Sequence, residues 1–203
     1  HKVKKFIYAS SMSVYGDLKN KNALANEKSE CKPLSFYGVS KLSSEKYLKI
    51  FSKLGLNITI LRFFNVYGPN QNLKNLRQGM ISIYLSQLIK SDNILVKGSL
   101  KRFRDFIYID DVVKIIYLCA TKKITKNKTY NISTGNKTTV KRIISLITEI
   151  TKKKIKIKQS KSTPGDQFGI YAKPSLLKRD LNFKKFTSLK NGIEKMIQSI
   201  NYD

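Results

Sequence analysis

Tyr37 and Lys41 stand four residues apart in the run Tyr37-Gly38-Val39-Ser40-Lys41. On a helix, that spacing puts both side chains on one face. A phenol is a poor base at neutral pH, and a neighbouring ammonium favours its phenolate form. A Tyr/Lys pair held this way could move a proton to and from a hydroxyl group. Alone the spacing is a weak signal, because lysine is abundant here, but its surroundings strengthen it. Ser11 lies in Ser10-Ser11-Met12-Ser13-Val14-Tyr15-Gly16, just after the apolar run Val3–Ala9. Asn65 lies in Arg62-Phe63-Phe64-Asn65-Val66-Tyr67-Gly68-Pro69, at the end of a second such run. Both fall at the carboxyl ends of expected strands, where open α/β sheets bind ligands. A Ser11 hydroxyl there could share a hydrogen bond with the Tyr37 oxygen and a reacting oxygen.

The elements that must position these groups follow from periodicity. Val3–Ala9 reads as a buried strand, and Asp17–Pro33 as polar and irregular. Leu42, Tyr47, Leu48, Phe51 and Leu54 predict a helix over Ser40–Leu54, stopped by Gly55. Asn57–Phe64 is rich in β-branched and aromatic residues and predicts a strand. Strand, loop, helix, strand is an α/β unit with parallel strands. Beyond it, Tyr67–Asn72 reads as a loop. Helices are expected at Met80–Lys90, Asp110–Lys122, Thr138–Thr151 and Leu189–Ile200. Short strands are expected at Ile94–Val96, Tyr130–Ile132 and Ile155–Lys158, and a turn at Pro164-Gly165-Asp166. Asp110 or Asp111 suits a helix N-terminus better than catalysis. Tyr15 and Tyr67 each precede a glycine and read as loop-shaping residues. Cys119 reads as core and Cys31 as a loop thiol.

Composition bounds the rest. With 203 residues, 41% hydrophobic, the chain can bury one good core, or one domain and part of another. No apolar run approaches a membrane span, and no secretory signal is visible. Two cysteines in unlike contexts point to a reduced, cytoplasmic protein. A lone histidine, His1, with no Cys/His cluster argues against a protein-built metal site. The net charge of +27 would attract nucleic acid non-specifically. However, the lysines are spread along the whole chain, arginines are few, and no zinc-finger, RRM or basic-zipper spacing occurs. A solvated, lysine-rich surface accounts for the charge.

Five segments in order, SSMSVYG (10–16), YGVSK (37–41), RFFNVYGP (62–69), RDFIYIDDV (104–112) and PGD (164–166), resemble the extended short-chain dehydrogenases/reductases. The resemblance is to their NAD-dependent epimerase/dehydratase group, and within it to UDP-glucose 4-epimerases. It implies a Rossmann-like, doubly wound α/β fold with a smaller α/β substrate-binding domain. Residues 1–66 would be the remainder of the NAD-binding domain. Residues 67–203 would be mainly the substrate domain, with a segment near 106–135 returning to the first. No strand–Gly-rich turn–helix occurs, so the chain reads as the C-terminal portion of a longer protein. Tyr37 matches the catalytic base, Lys41 the lysine on the nicotinamide ribose, and Ser11 the third member of the triad. Ser10 and Phe64 fall beside the cofactor, NAD. Asn65, Gly79, Met80, Arg104 and Asp166 match contacts to the nucleotide-sugar. A homodimer through the Tyr37 helix is also implied.

Two departures refine this expectation. Dehydratases of the group carry acidic residues just after the Ser/Thr, where this chain has Met12 and Ser13, so epimerisation through a 4-keto sugar is favoured over water loss. An arginine usual before Pro-Gly-Asp is replaced by Thr163, with Lys161 nearby. The alternatives are an NAD(P)H-dependent nucleotide-sugar reductase or dehydratase of the same family and, in another class, a non-catalytic basic protein that binds nucleic acid.

Overall fold

The computed structural model describes residues 3–18, 23–76, 79–162 and 167–200. The central sheet is parallel, in the order β1 (Lys5–Ser11), β3 (Asn57–Phe63), β8 (Lys128–Ile132). Its register sets Ser11 level with Phe63, and Phe63 level with Ile132. The residues after each strand, Met12, Phe64 and Ser133, therefore leave the sheet along one rim. This register, absent from any local pattern, is what gathers three distant segments.

Helix α1 (Phe36–Lys53) joins β1 to β3. It begins four residues earlier than its apolar spacing predicts. The reason is capping: the Ser35 hydroxyl accepts from the Gly38 N–H at 3.1 Å. Phe36 and Tyr37, at 97% and 55% exposure, add nothing to a buried stripe and so left no periodic trace. Gly55, at φ +100°, follows the helix end as expected.

Only Gly38 and Glu45 of α1 are buried. The helix is held by an ion pair more than by oil-like packing. Arg62 of β3 grips Glu45 with two bonds, Nε to Oε1 at 2.9 Å and Nη2 to Oε2 at 2.6 Å. Ser10 donates to the same carboxylate at 2.5 Å. Arg62 also donates to the Tyr15 hydroxyl at 3.0 Å, and Tyr15 to Asn131 Oδ1 at 2.6 Å. Burial pushes the Tyr15 phenol up to about 12 despite the pull of Arg62. Burial opposes the charge of Arg62, yet Glu45 and Tyr15 outweigh it and hold the guanidinium charged.

Four further helices match their predicted cores: α2 (Met80–Lys90), α3 (Ile109–Thr121), α4 (Val140–Thr151) and α6 (Leu189–Gln198); a fifth, at Ser175–Leu181, was not expected. In α4, Val140, Ile143, Ile144 and Ile147 form one stripe and are all buried. Each such side chain contributes roughly 1.5–3 kcal/mol. They pack with α2, α6 and β5 (Asn93–Lys97) in one cluster. A second cluster joins β3 and β8 to α3 and α5 (Ser175–Leu181), with Cys119 in it as core. Among the described residues, no helix is long and apolar enough to cross a membrane.

Several expectations need correction. The stretch 17–33 is not wholly irregular: β2 (Leu24–Ala25) pairs in parallel with β11 (Gly169–Ala172). Residues 138–139 are β9, antiparallel to β6 (Phe103–Arg104), and not helix. Tyr67 ends β4 (Asn65–Tyr67), which pairs with β7 (Phe106–Tyr108), so it lies in a strand and not a loop. Strands of two to four residues contain too few alternations to be read from sequence. The strand expected at Ile155–Lys158 is β10 (Lys156–Ser160), and it pairs in parallel with β5. Asp110 and Asp111 stand in the first turn of α3, as expected, where the helix dipole favours them, but neither is its N-cap, which is Tyr108 without a side-chain bond. Asp111 instead accepts from the Thr187 N–H at 2.7 Å and hydroxyl at 3.2 Å, tying down the approach to α6. The expected turn at 164–166 lies outside the described residues.

Candidate active site

The common rim opens onto a cavity of about 830 Å³, within the usual range for small-molecule sites. Met12 and Ser13 form one wall with Leu34 and Ser35 from the α1 cap. Asn65 comes from β4, while Gly79, Met80 and Tyr84 come from α2. Lys97, Arg102 and Arg104 supply positive charge.

The first turn of α1 is pressed onto the residues after β1. A Cβ at Gly38 would lie 2.5 Å from the Ser13 carbonyl oxygen and 2.8 Å from the Pro33 Cβ. Glycine is thus required beside Tyr37 for the helix to come this close. Lys41, one turn on, donates to the Ala9 carbonyl at 2.8 Å. Its ammonium lies 5.5 Å from the Tyr37 ring centroid and 5.1 Å from that of Tyr8. The strand end, the lysine and the phenol are therefore one assembly. Ser11 stands behind it, its hydroxyl accepting from the Ser13 N–H at 3.2 Å. Replacing Gly38 by Ala must move this turn away from Ser13. A displacement near 1 Å costs on the order of 10²-fold in rate for a reaction centred on this pair, so any turnover that uses Tyr37 should fall steeply while the melting transition remains cooperative. An unchanged kcat would show that the close approach is incidental.

Of the expected binding residues, Asn65, Gly79, Met80 and Arg104 all reach the cavity wall. Asn65 is anchored to Asp105, whose carbonyl oxygen accepts from its backbone N–H at 3.0 Å and its Nδ2 at 3.1 Å. Gly79 caps α2 at φ +83°, with Ser82 Oγ donating to its carbonyl at 2.8 Å. Arg104 is buried and oriented by carbonyls: Nη2 to Gln167 at 2.7 Å, and Nη1 to Phe103 at 2.8 Å and Phe168 at 3.2 Å. Ser11, Tyr37 and Lys41 flank the wall without lining it, and Ser10 and Phe64 are not on it either. Ser10 is committed to Glu45, and Phe64 is buried with Val14, Tyr15 and Ile170. Asp166 lies outside the described residues.

Sequence reading missed Arg102, Asp105 and Glu45. Arg102 and Arg104 flank Phe103 at the start of an apolar run, which was a usable signal. Glu45 on the inward face of a helix and Arg62 within an apolar strand were a second signal, since buried charges require partners.

Among known proteins, the description "NAD dependent epimerase/dehydratase family" fits residues 1–133 of this chain. The chain belongs to that family. It is 34% identical over 194 residues to YtcB of Bacillus subtilis (strain 168), described as an uncharacterized UDP-glucose epimerase, spanning 95% of this chain and 59% of that protein. The Thermotoga maritima UDP-glucose 4-epimerase, solved with UDP-glucose, superposes with a TM-score of 0.90 at 31% identity, over 98% of this chain and 63% of that one. The Bacillus cereus UDP-glucuronic acid 4-epimerase, solved with UDP-glucuronic acid and NAD, gives a TM-score of 0.87 at 30% identity, over 96% and 60%. The chain therefore spans about three fifths of the length of these relatives. The α/β fold read from the sequence is the fold of these Rossmann-type enzymes.

Proposed function

We propose that the protein carrying this chain is an NAD-dependent epimerase that inverts a UDP-hexose through a transient 4-keto sugar. The observation that carries this reading is the Gly38 contact. It holds the first turn of α1, which carries Tyr37, against Ser13, a wall residue of the cavity that Asn65 and Arg104 also line. In this reading Tyr37 accepts the proton of the C4 hydroxyl as that carbon becomes a ketone, and later returns it. Ser11 holds the same oxygen. Arg104, already aligned by three carbonyls, presents its planar fork to the diphosphate. Asn65, Gly79 and Met80 contact the nucleotide-sugar, and Asp166 the nucleotide ribose. With Met12 and Ser13 after the triad serine, no carboxylic acid is provided there for water elimination.

The residues present suit NAD. The Lys41 ammonium is fixed at the carboxyl end of β1 by its hydrogen bond to the Ala9 carbonyl and keeps further N–H groups for a ribose diol. Ser10 and Phe64 support this half of the site from behind. NAD, when bound, would accept a hydride and return it. We read β1, β3 and β8 with their helices as part of the dinucleotide domain, so that residues 1–66 and a segment near 106–135 belong to it. The rest of 67–203 forms the substrate domain.

A homodimer is supported by the exposed apolar side chains of α1, Val39, Tyr47, Ile50, Phe51 and Leu54. The free thiols Cys31 and Cys119 favour the cytoplasm.

The test is product analysis. The full-length protein is incubated with NAD and, in turn, UDP-glucose, UDP-N-acetylglucosamine and UDP-glucuronate. The C4 epimer of at least one should form with no steady change in reduced-nicotinamide absorbance. Continuous consumption of reduced nicotinamide would instead identify a reductase.

A further inference from the structure

Asp105 separates β6 from β7 and is fully buried. Its Oδ1 accepts from the Thr134 N–H at 2.9 Å and the Thr134 hydroxyl at 2.7 Å. Its Oδ2 accepts from the Gly135 N–H at 2.9 Å and, at 3.5 Å, from the Ala172 N–H. One carboxylate thus ties together the break between β6 and β7, the exit of β8 and the end of β11. On its other side, its carbonyl oxygen receives both the backbone and side-chain N–H groups of Asn65. Arg104 is its immediate neighbour, and both Asn65 and Arg104 line the cavity.

We propose that Asp105 is a positioning residue for substrate: its ionised carboxylate pins the joint from which Asn65 and Arg104 reach the nucleotide-sugar. This rests on the function proposed above and adds to it a residue that does not itself line the cavity. An ionised carboxylate only accepts hydrogen bonds, and three of the four groups that face it are N–H groups, which can only donate. Protonation turns one oxygen into a weaker acceptor that carries a hydrogen towards an N–H group, so the tie there weakens and the joint loosens.

Burial raises the Asp105 carboxyl to about 6, against the lowering effect of the Thr134, Gly135 and Ala172 donors. The charged side chains on the surrounding segments are Arg102 and Arg104 before it, Asp110 and Asp111 beyond β7, Lys137 after Gly135, and Lys173 after Ala172. Lys137 sits over the Phe103 ring, its ammonium 4.0 Å from the centroid. Asp111 is engaged by Thr187. Among the described residues, no cation forms an ion pair with Asp105.

The experiment is calorimetric titration of the full-length protein with UDP-glucose, whose diphosphate diester does not itself titrate near neutrality. Losing one charge-assisted bond at the joint corresponds to about tenfold in affinity. Wild-type affinity should fall by about that factor from about pH 7.5 to pH 5. Asp105→Asn should bind about tenfold more weakly at neutral pH, with a flat profile. The stability difference gives the contrasting readout. Because the folded state holds this proton more tightly than the unfolded chain, wild-type stability should rise relative to Asp105→Asn as pH falls through about 6. A merely structural carboxylate would change stability and leave affinity alone. Affinity that is independent of pH in the wild type overturns the inference, and this arm decides even if Asp105→Asn fails to fold. Absence of UDP-glucose binding by the wild type at every pH overturns the functional reading and this inference together.

Discussion

Tyr37→Phe should lower epimerisation by about 10²- to 10⁴-fold, the range lost with a positioned acid/base, while UDP-sugar binding persists. The substitution removes one oxygen and leaves the ring. Tyr37 is a half-exposed side chain in the first turn of α1, so little packing depends on its hydroxyl. The Ser35 cap, the Gly38 contact and the Lys41 bond to Ala9 all remain. The effect should therefore appear in kcat, with the dissociation constant for UDP-glucose and the melting temperature close to wild type. That split separates a chemical role from a structural one. Turnover by Tyr37→Phe at the wild-type rate would remove the base from the mechanism, and with it the central assignment.

The largest stability loss should come from Arg62→Met. Arg62 and Glu45 are both buried, and their two hydrogen bonds tie β3 to α1. Removing the guanidinium leaves the Glu45 carboxylate in the interior with Ser10 as its remaining hydrogen-bond donor. It also strips the Tyr15 hydroxyl of a donor. Breaking a buried pair from one side costs about 3–5 kcal/mol. Replacing both partners, Arg62→Met with Glu45→Met, removes the stranded charge and should recover much of that loss, since apolar pairs of similar volume often match buried ion pairs. Denaturant unfolding of the wild type and the two variants gives the comparison. A single variant as stable as wild type would mean that water reaches the pair. The double variant should still position Tyr37 less well, because α1 otherwise buries only Gly38.

Much of the arrangement was legible before any coordinates. Strands Lys5–Ser11 and Asn57–Phe63 and helices Met80–Lys90 and Ile109–Thr121 have long, unbroken patterns, and local periodicity found them within two residues. Motif order placed Ser11, Tyr37, Lys41 and Asn65 at strand ends and a helix start because those positions are local properties of the chain. The preference for epimerisation over elimination came from two residue identities, Met12 and Ser13.

The rest depends on contacts between residues far apart in the chain. The parallel register that levels Ser11 with Phe63 and Ile132 is a property of three strands together. β2, β6, β7 and β11 are too short to show a period and exist because other segments supply their partners. The start of α1 was set by a cap and a glycine contact, which hydrophobic spacing does not record. Ser10 and Phe64 stand beside the site in sequence, yet burial and the Glu45 bond turn them inward. Asp105 reads in the chain as one more acidic residue beside an arginine. Only the tertiary fold surrounds it with three backbone N–H groups, two from the exit of β8 and one from the end of β11, because hydrogen-bond partners separated by 29 to 67 residues are invisible to any local pattern.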